Sequence, residues 1–95
     1  LDIQYNHLKS LKGIELIPNL EELYLYKNLL EDISDLKNLK YLNYIITSKK
    51  TIPEKYHHFL NTFESISGRE DVEKLQIFLH AEENIENQQT INLLF

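Results

Sequence analysis

Leu20-Glu21-Glu22-Leu23-Tyr24-Leu25-Tyr26-Lys27-Asn28-Leu29-Leu30 decides how the chain is read. Apolar residues hold positions 20, 23, 25 and 30, and a single asparagine holds 28, giving L-x-x-L-x-L-x-x-N-x-L without a departure. Alternate residues of a strand point to opposite faces, so Leu23 and Leu25 face one way and Tyr24 and Tyr26 the other. The leucines are the candidate core. The tyrosines are left for something else.

The stretch repeats. Asn6 lies 22 residues before Asn28. At the same step Leu1, Ile3 and Leu8 fall under Leu23, Leu25 and Leu30, and Leu11, Ile14, Ile17 and Leu20 under Ile33, Leu36, Leu39 and Leu42. A further step brings Ile45, Thr47, Lys50 and Ile52 into the same column. In the connecting segments apolar residues return every third position, the period of a tight 3₁₀ turn. Pro18 sits there, where no strand hydrogen bond is asked of it.

On these residues the chain resembles the leucine-rich repeats, in their 22-residue, internalin-like class, over positions 1–52. The resemblance implies an α/β leucine-rich-repeat solenoid, each repeat adding one strand to a short parallel sheet on the concave face of an arc. Asn6 and Asn28 then have a structural role. A buried amide carries donors and acceptors together, so it satisfies backbone groups at the bend after each strand. The third repeat departs from the pattern. Thr47 replaces a core leucine, and Lys50, with donors only, stands where the amide is expected. The array is therefore expected to end there, with residues 53–95 as a helical C-terminal cap over its last core layer.

Within that cap, Thr51-Ile52-Pro53-Glu54 fits a capping box. Tyr56, Phe59, Leu60 and Phe63 share one helical face, and Gly68 is the expected stop. A second helix is expected from about Glu70 with Val72, Leu75, Phe78 and Leu79 as its apolar face. The acidic run Ala81-Glu82-Glu83-Asn84 is expected to interrupt it before a third helix carrying Ile91, Leu94 and Phe95. Beginning on Leu1 rather than Met and ending on an apolar run, the chain reads as the C-terminal part of a longer protein.

Composition narrows the function. A net charge of −5 argues against nucleic acid and anionic membrane surfaces, which select Lys and Arg. With no cysteine there is neither a disulfide framework nor a thiolate metal site. That fits a reducing cytosol, and a secreted bacterial protein equally well. No apolar run reaches the length of a membrane span.

Catalytic signals are missing. His57 and His58 are adjacent and on a helix point about 100° apart, the wrong spacing for one metal ion. One is expected at the edge of an apolar face and the other in solvent. His7 and His80 complete no zinc motif, and the serines lack a nucleophile-elbow context. No phosphate loop exists with only Gly13 and Gly68. No cofactor is implied.

What remains is the sheet face. Register aligns Asp2, Tyr24 and Ile46 in one outward column, Gln4, Tyr26 and Ser48 in a second, and Tyr5, Lys27 and Lys49 in a third, with Glu22 and Tyr44 preceding them. Tyrosine gives a broad, rigid, amphipathic contact and is enriched at binding hot spots. It is also a good strand former that pairs across strands, and the two causes coexist.

The resemblance implies a non-enzymatic scaffold binding a protein partner on the concave face. The residues expected to carry it are Asp2, Gln4, Glu22, Tyr24, Tyr26, Lys27, Tyr44, Ile46 and Lys49. Self-association through the uncapped first repeat is a further expectation. Two alternatives are an adhesive spacer of a surface protein and the targeting arm of an enzyme whose catalytic domain lies elsewhere.

Overall fold

The computed structural model describes residues 1–94. Strands β1 (Glu22–Tyr24) and β2 (Tyr44–Ile46) pair in parallel, with Glu22 opposite Tyr44, Leu23 opposite Ile45 and Tyr24 opposite Ile46. Asp2 forms a parallel bridge to Tyr24. All these partners are 22 residues apart, so the sequence period is the physical stacking step. Between the strands lie short 3₁₀ helices, Ile14–Leu16 and Ser34–Leu36, as the three-residue apolar spacing requires. Leu23, Leu25, Ile33, Leu36, Leu39, Leu42 and Ile45 are buried in one core cluster.

Asn28 is the polar centre of that stack. Its Oδ1 accepts from the Leu8 amide at 2.9 Å, and its Nδ2 donates to the carbonyls of Ile3 at 2.8 Å and Leu25 at 3.0 Å. One side chain thus closes backbone groups of two successive units. The backbone repeats as well: Tyr5 and Lys27, 22 residues apart, both have φ of 62°. Asn6, expected to be the same buried amide one step earlier, is instead exposed, since among the described residues no preceding unit offers it a bend to close. The third unit drops the device as well. Leu30 is the counterpart of Leu8, and its amide donates to the Thr51 carbonyl at 2.8 Å rather than to a side chain. Lys50, standing in the asparagine position, is exposed. Thr47 is buried in the leucine position, with its hydroxyl lacking a partner.

The segment after Ile52 differs from the expected run of helices. The capping box does not form. Pro53 is the N-cap of a six-residue 3₁₀ helix, Glu54–Phe59, without a side-chain cap, and the Thr51 hydroxyl is held instead by Ser48 at 2.9 Å. That bond also turns Ser48 inward, out of the exposed column expected for it.

The helical face ends early too. Tyr56 is buried and Phe59 and Leu60 are half-buried, whereas Phe63 is 84% exposed. The reason is Asn61, whose Oδ1 accepts from the amides of Phe63 at 2.9 Å and Ser65 at 3.1 Å. A side chain that bonds its own downstream backbone competes with helix and makes a turn.

Beyond that turn lies a strand the helical reading did not contain. In β3 (Ser65–Ser67), Ile66 sits opposite Ile45 and the strand runs antiparallel to β2. An exposed strand edge offers unpaired amides and carbonyls, and β3 takes them up. The Gly68 amide continues the pairing to the Asn43 carbonyl at 2.7 Å. Gly68, at φ 96°, does not stop a helix but starts one, its carbonyl receiving the Val72 amide.

The single helix α1 (Arg69–Leu94) then runs without interruption. Val72, Leu75 and Leu79 are fully buried and Phe78 packs beside them, as the periodicity indicates. The run Ala81–Asn84 does not break it, because alanine and glutamate are strong helix formers and acidity alone does not terminate a helix. There is thus no separate third helix from Ile85, while the expected core roles of Ile91, Leu94 and Phe95 lie outside the described residues. Polar side chains of α1 also serve the core. Gln76 Nε2 donates to the Leu36 and Leu39 carbonyls, both at 2.8 Å, and Arg69 Nη1 to the Leu42 carbonyl at 2.8 Å.

Candidate functional site

Parallel pairing sets the outer face of β1 and β2. Because Leu23 and Ile45 take the core side, Glu22, Tyr24, Tyr44 and Ile46 fall on the opposite side. Tyr24 and Tyr44 meet edge to face, with ring centroids 6.0 Å apart and an interplanar angle of 67°. The Tyr24 hydroxyl donates to Glu22 Oε2 at 3.2 Å, and this bond to a carboxylate raises the phenol's pKa above its ordinary value. Asp2 extends the face through its bridge to Tyr24, and its carboxylate accepts from both the backbone and the side-chain amide of Gln4.

The other three expected residues lie elsewhere. Tyr26, Lys27 and Lys49 follow the strands and line an open cleft of about 660 Å³ at one end of the sheet. Lys27 Nζ sits 5.8 Å from the Tyr26 ring centroid, within reach of a weak cation–π attraction. Tyr5, His7, Leu29, Lys50 and Glu64 also line it. The nine expected residues therefore divide into an aromatic strand face and part of a basic cleft. Lys50, read in the sequence as a failed asparagine, and Glu64, placed in a helical cap, carried no signal for the cleft. Only the fold of the Asn61–Ser65 turn brings Glu64 there.

Three of the four histidines have structural partners. His57 Nε2 donates to the Ile52 carbonyl at 3.1 Å, while His58 stacks on Phe59 with ring centroids 4.0 Å apart. His80 Nε2 donates to the Lys37 carbonyl at 3.2 Å. Among the described residues no cluster of His, Cys, Asp or Glu could hold a metal ion, and no helix is long and apolar enough to cross a membrane. Between the 3₁₀ helix and α1, Tyr56 donates to Glu82 at 2.6 Å, and Lys55 pairs with the same carboxylate at 2.7 Å. Burial, and then the bond to Glu82, pushes the Tyr56 phenol up to about 12. This trio fastens α1 to the 3₁₀ helix before it.

Residues 1–38 match the family model for leucine rich repeats (2 copies). The match supports a leucine-rich repeat protein, a class whose domains commonly mediate protein–protein interaction. No curated protein and no solved structure matches the chain.

Proposed function

We propose that the chain is a non-catalytic interaction module in which residues 1–52 form a repeat solenoid of the 22-residue class and residues 53–95 cap it. A protein partner docks on the outer, concave face of β1 and β2. The observation that carries this reading is the Tyr24–Tyr44 pair, presented on the sheet face the core leaves free. Two rigid aromatics in edge contact lose little side-chain entropy when a partner covers them, and such residues dominate interface energetics. Glu22 and Asp2 supply the polar margin. In this reading the first unit also supports self-association, since its apolar residues Leu1, Ile3 and Leu8 line an open cavity.

The test is the double substitution Tyr24→Ala/Tyr44→Ala, with affinity for a protein captured by the full chain measured beside thermal stability. Hot-spot tyrosines predict a loss of about 2 kcal/mol or more, roughly thirtyfold in Kd. Unchanged affinity in a folded double variant contradicts the assignment.

A further inference from the structure

The cleft beyond the strand ends has properties that the repeat pattern does not require. It lies where β1 and β2 finish and where antiparallel β3 begins, so loops from every unit meet there. Three lysines line it, Lys27, Lys49 and Lys50, against one acidic residue, Glu64. The chain as a whole carries −5. Positive charge has been gathered at one place on an acidic molecule. None of the three lysines forms an ion pair among the described residues.

The backbone points to the same place. Four non-glycine residues have positive φ among those described, namely Tyr5, His7, Lys27 and Glu64, and all four line this cleft. For side chains other than glycine the left-handed region costs on the order of 1–2 kcal/mol per residue. Repeat geometry accounts for Tyr5 and Lys27, which are equivalent positions. It does not account for Glu64, which lies outside the repeats. Clustered backbone strain of this kind is characteristic of ligand-holding sites.

The floor narrows the ligand. Asn28 is fully engaged with backbone, and Ser48 and Thr51 bond each other, so recognition falls to the rim. That rim includes the aromatic residues Tyr5 and Tyr26 and the exposed Leu29 beside the lysines. A volume of about 660 Å³ suits a few side chains rather than a folded surface. A long polyphosphate backbone is disfavoured, because three lysines neutralise few phosphates and the rest of the molecule repels them.

We infer that this cleft binds an acidic peptide segment, its carboxylates on Lys27, Lys49 and Lys50 and an aromatic side chain against Tyr5 and Tyr26. The inference rests on the protein-binding reading above and gives the partner a chemistry: an exposed Asp/Glu-rich segment with an interposed aromatic residue. The strand face then holds the partner's body and the cleft its acidic segment.

The probe is a short fluorescein-labelled peptide of aspartate and glutamate flanking one phenylalanine, titrated with the full chain by fluorescence anisotropy. Its control carries asparagine and glutamine instead. Summed over three exposed ammonium–carboxylate contacts, each modest alone, the acidic peptide binds about tenfold more tightly, and high salt removes the preference. Lys49→Gln/Lys50→Gln lowers its affinity severalfold, while Lys12→Gln/Lys40→Gln, an equal charge change away from the cleft, does not.

Equal affinity for acidic and amide peptides overturns the inference, as does equal weakening by the two double variants. Tighter binding of a phosphoserine or oligonucleotide probe overturns the choice of carboxylate. The salt and amide controls need no variant, so a folding defect in one leaves the test intact. If the acidic peptide fails while Tyr24→Ala/Tyr44→Ala still abolishes partner binding, only the cleft inference falls. If the peptide binds and those substitutions change nothing, the strand-face reading falls instead.

Discussion

The two edges of the small sheet end in opposite ways. Beside β1, among the described residues, the Leu1–Ile3 segment is the last layer. Leu1 is 46% exposed, Leu16 82% and Ile17 44%, and an open cavity of about 260 Å³ lies over Ile3, Leu8, Leu11 and Ile14. Beside β2, β3 reverses strand direction and α1 seals the layer with Val72, Leu75 and Leu79. A parallel stack built on one step accepts another layer of the same step wherever its edge is open. It stops where the step is broken, and here direction, period and polar device all change between Thr47 and Gly68. The difference shows how little is needed to close one edge of a small sheet: an antiparallel strand of three residues and one helix face.

Several measurements break or sharpen that contrast. The largest effect is expected at Asn28, whose amide joins the open layer to the next. Asn28→Ala leaves two carbonyls and the Leu8 amide without their partner, at about 1–3 kcal/mol for each group that stays dry, so a loss of about 3 kcal/mol or more is expected in chemical denaturation. A loss below about 1 kcal/mol would mean that the first unit is already loose.

Gln76 does the equivalent work at the closed edge. Gln76→Ala removes the two 2.8 Å bonds to the Leu36 and Leu39 carbonyls, which keep only longer bonds of 3.3 Å, and should cost about 2 kcal/mol, read from the same denaturation curves. No change would mean that α1 lies less firmly on the core than its buried residues indicate.

Alkaline pH loosens the same edge. Tyr56 titrates near 10 when unfolded and at about 12 when folded. Below pH 10 both states hold the proton and the stabilisation is complete. Between 10 and 12 the unfolded chain loses its proton first, so stability falls as pH rises. Lys55, whose pKa is also raised by Glu82, acts in the same direction. The Tm should drop across this window, and Tyr56→Phe should flatten the drop.

The smallest effect has the opposite sign. Thr47 occupies a leucine position at 1% exposure with its hydroxyl unpartnered. Thr47→Val removes that buried polar atom at nearly constant shape and should stabilise by about 1 kcal/mol. Destabilisation would show that the hydroxyl has a use in the folded chain.

The repeat was legible because three local signals agree in it: alternation in the strand, a three-residue return, and an amide at the bend. The strand register, the 3₁₀ connections, the Asn28 bonds and the split between core leucines and outer tyrosines all follow from them. The cap was read less well, and in both places the reason is physical. In Tyr56–Phe63 a helical apolar period was followed past the point where Asn61 ties down its own downstream amides. In Ala81–Asn84 charge was taken for a helix break although alanine and glutamate are good helix formers. β3 is three residues long, too short for alternation to speak, and it forms because β2 leaves an edge to pair with.

Of the candidate site, the strand face could be read from register alone. The basic cleft could not, since it depends on which loops a non-repeating turn brings together. Arg69 and Gln76 were likewise missed as backbone partners, although their seven-residue spacing flanks the apolar face of α1. That pattern marks polar anchors at the margin of a buried helix.

Residue-resolved hydrogen exchange of the full chain tests the contrast between the edges most directly. The amides of Leu25, Thr47, Gly68 and Val72, bonded within the closed side, should exchange only through global unfolding. Those of Ile3 and Tyr5, held by single bonds at the open edge, should exchange much faster through local opening. Equal, strong protection at Ile3 and Tyr5 would contradict the account, because the two edges would then not differ in local stability.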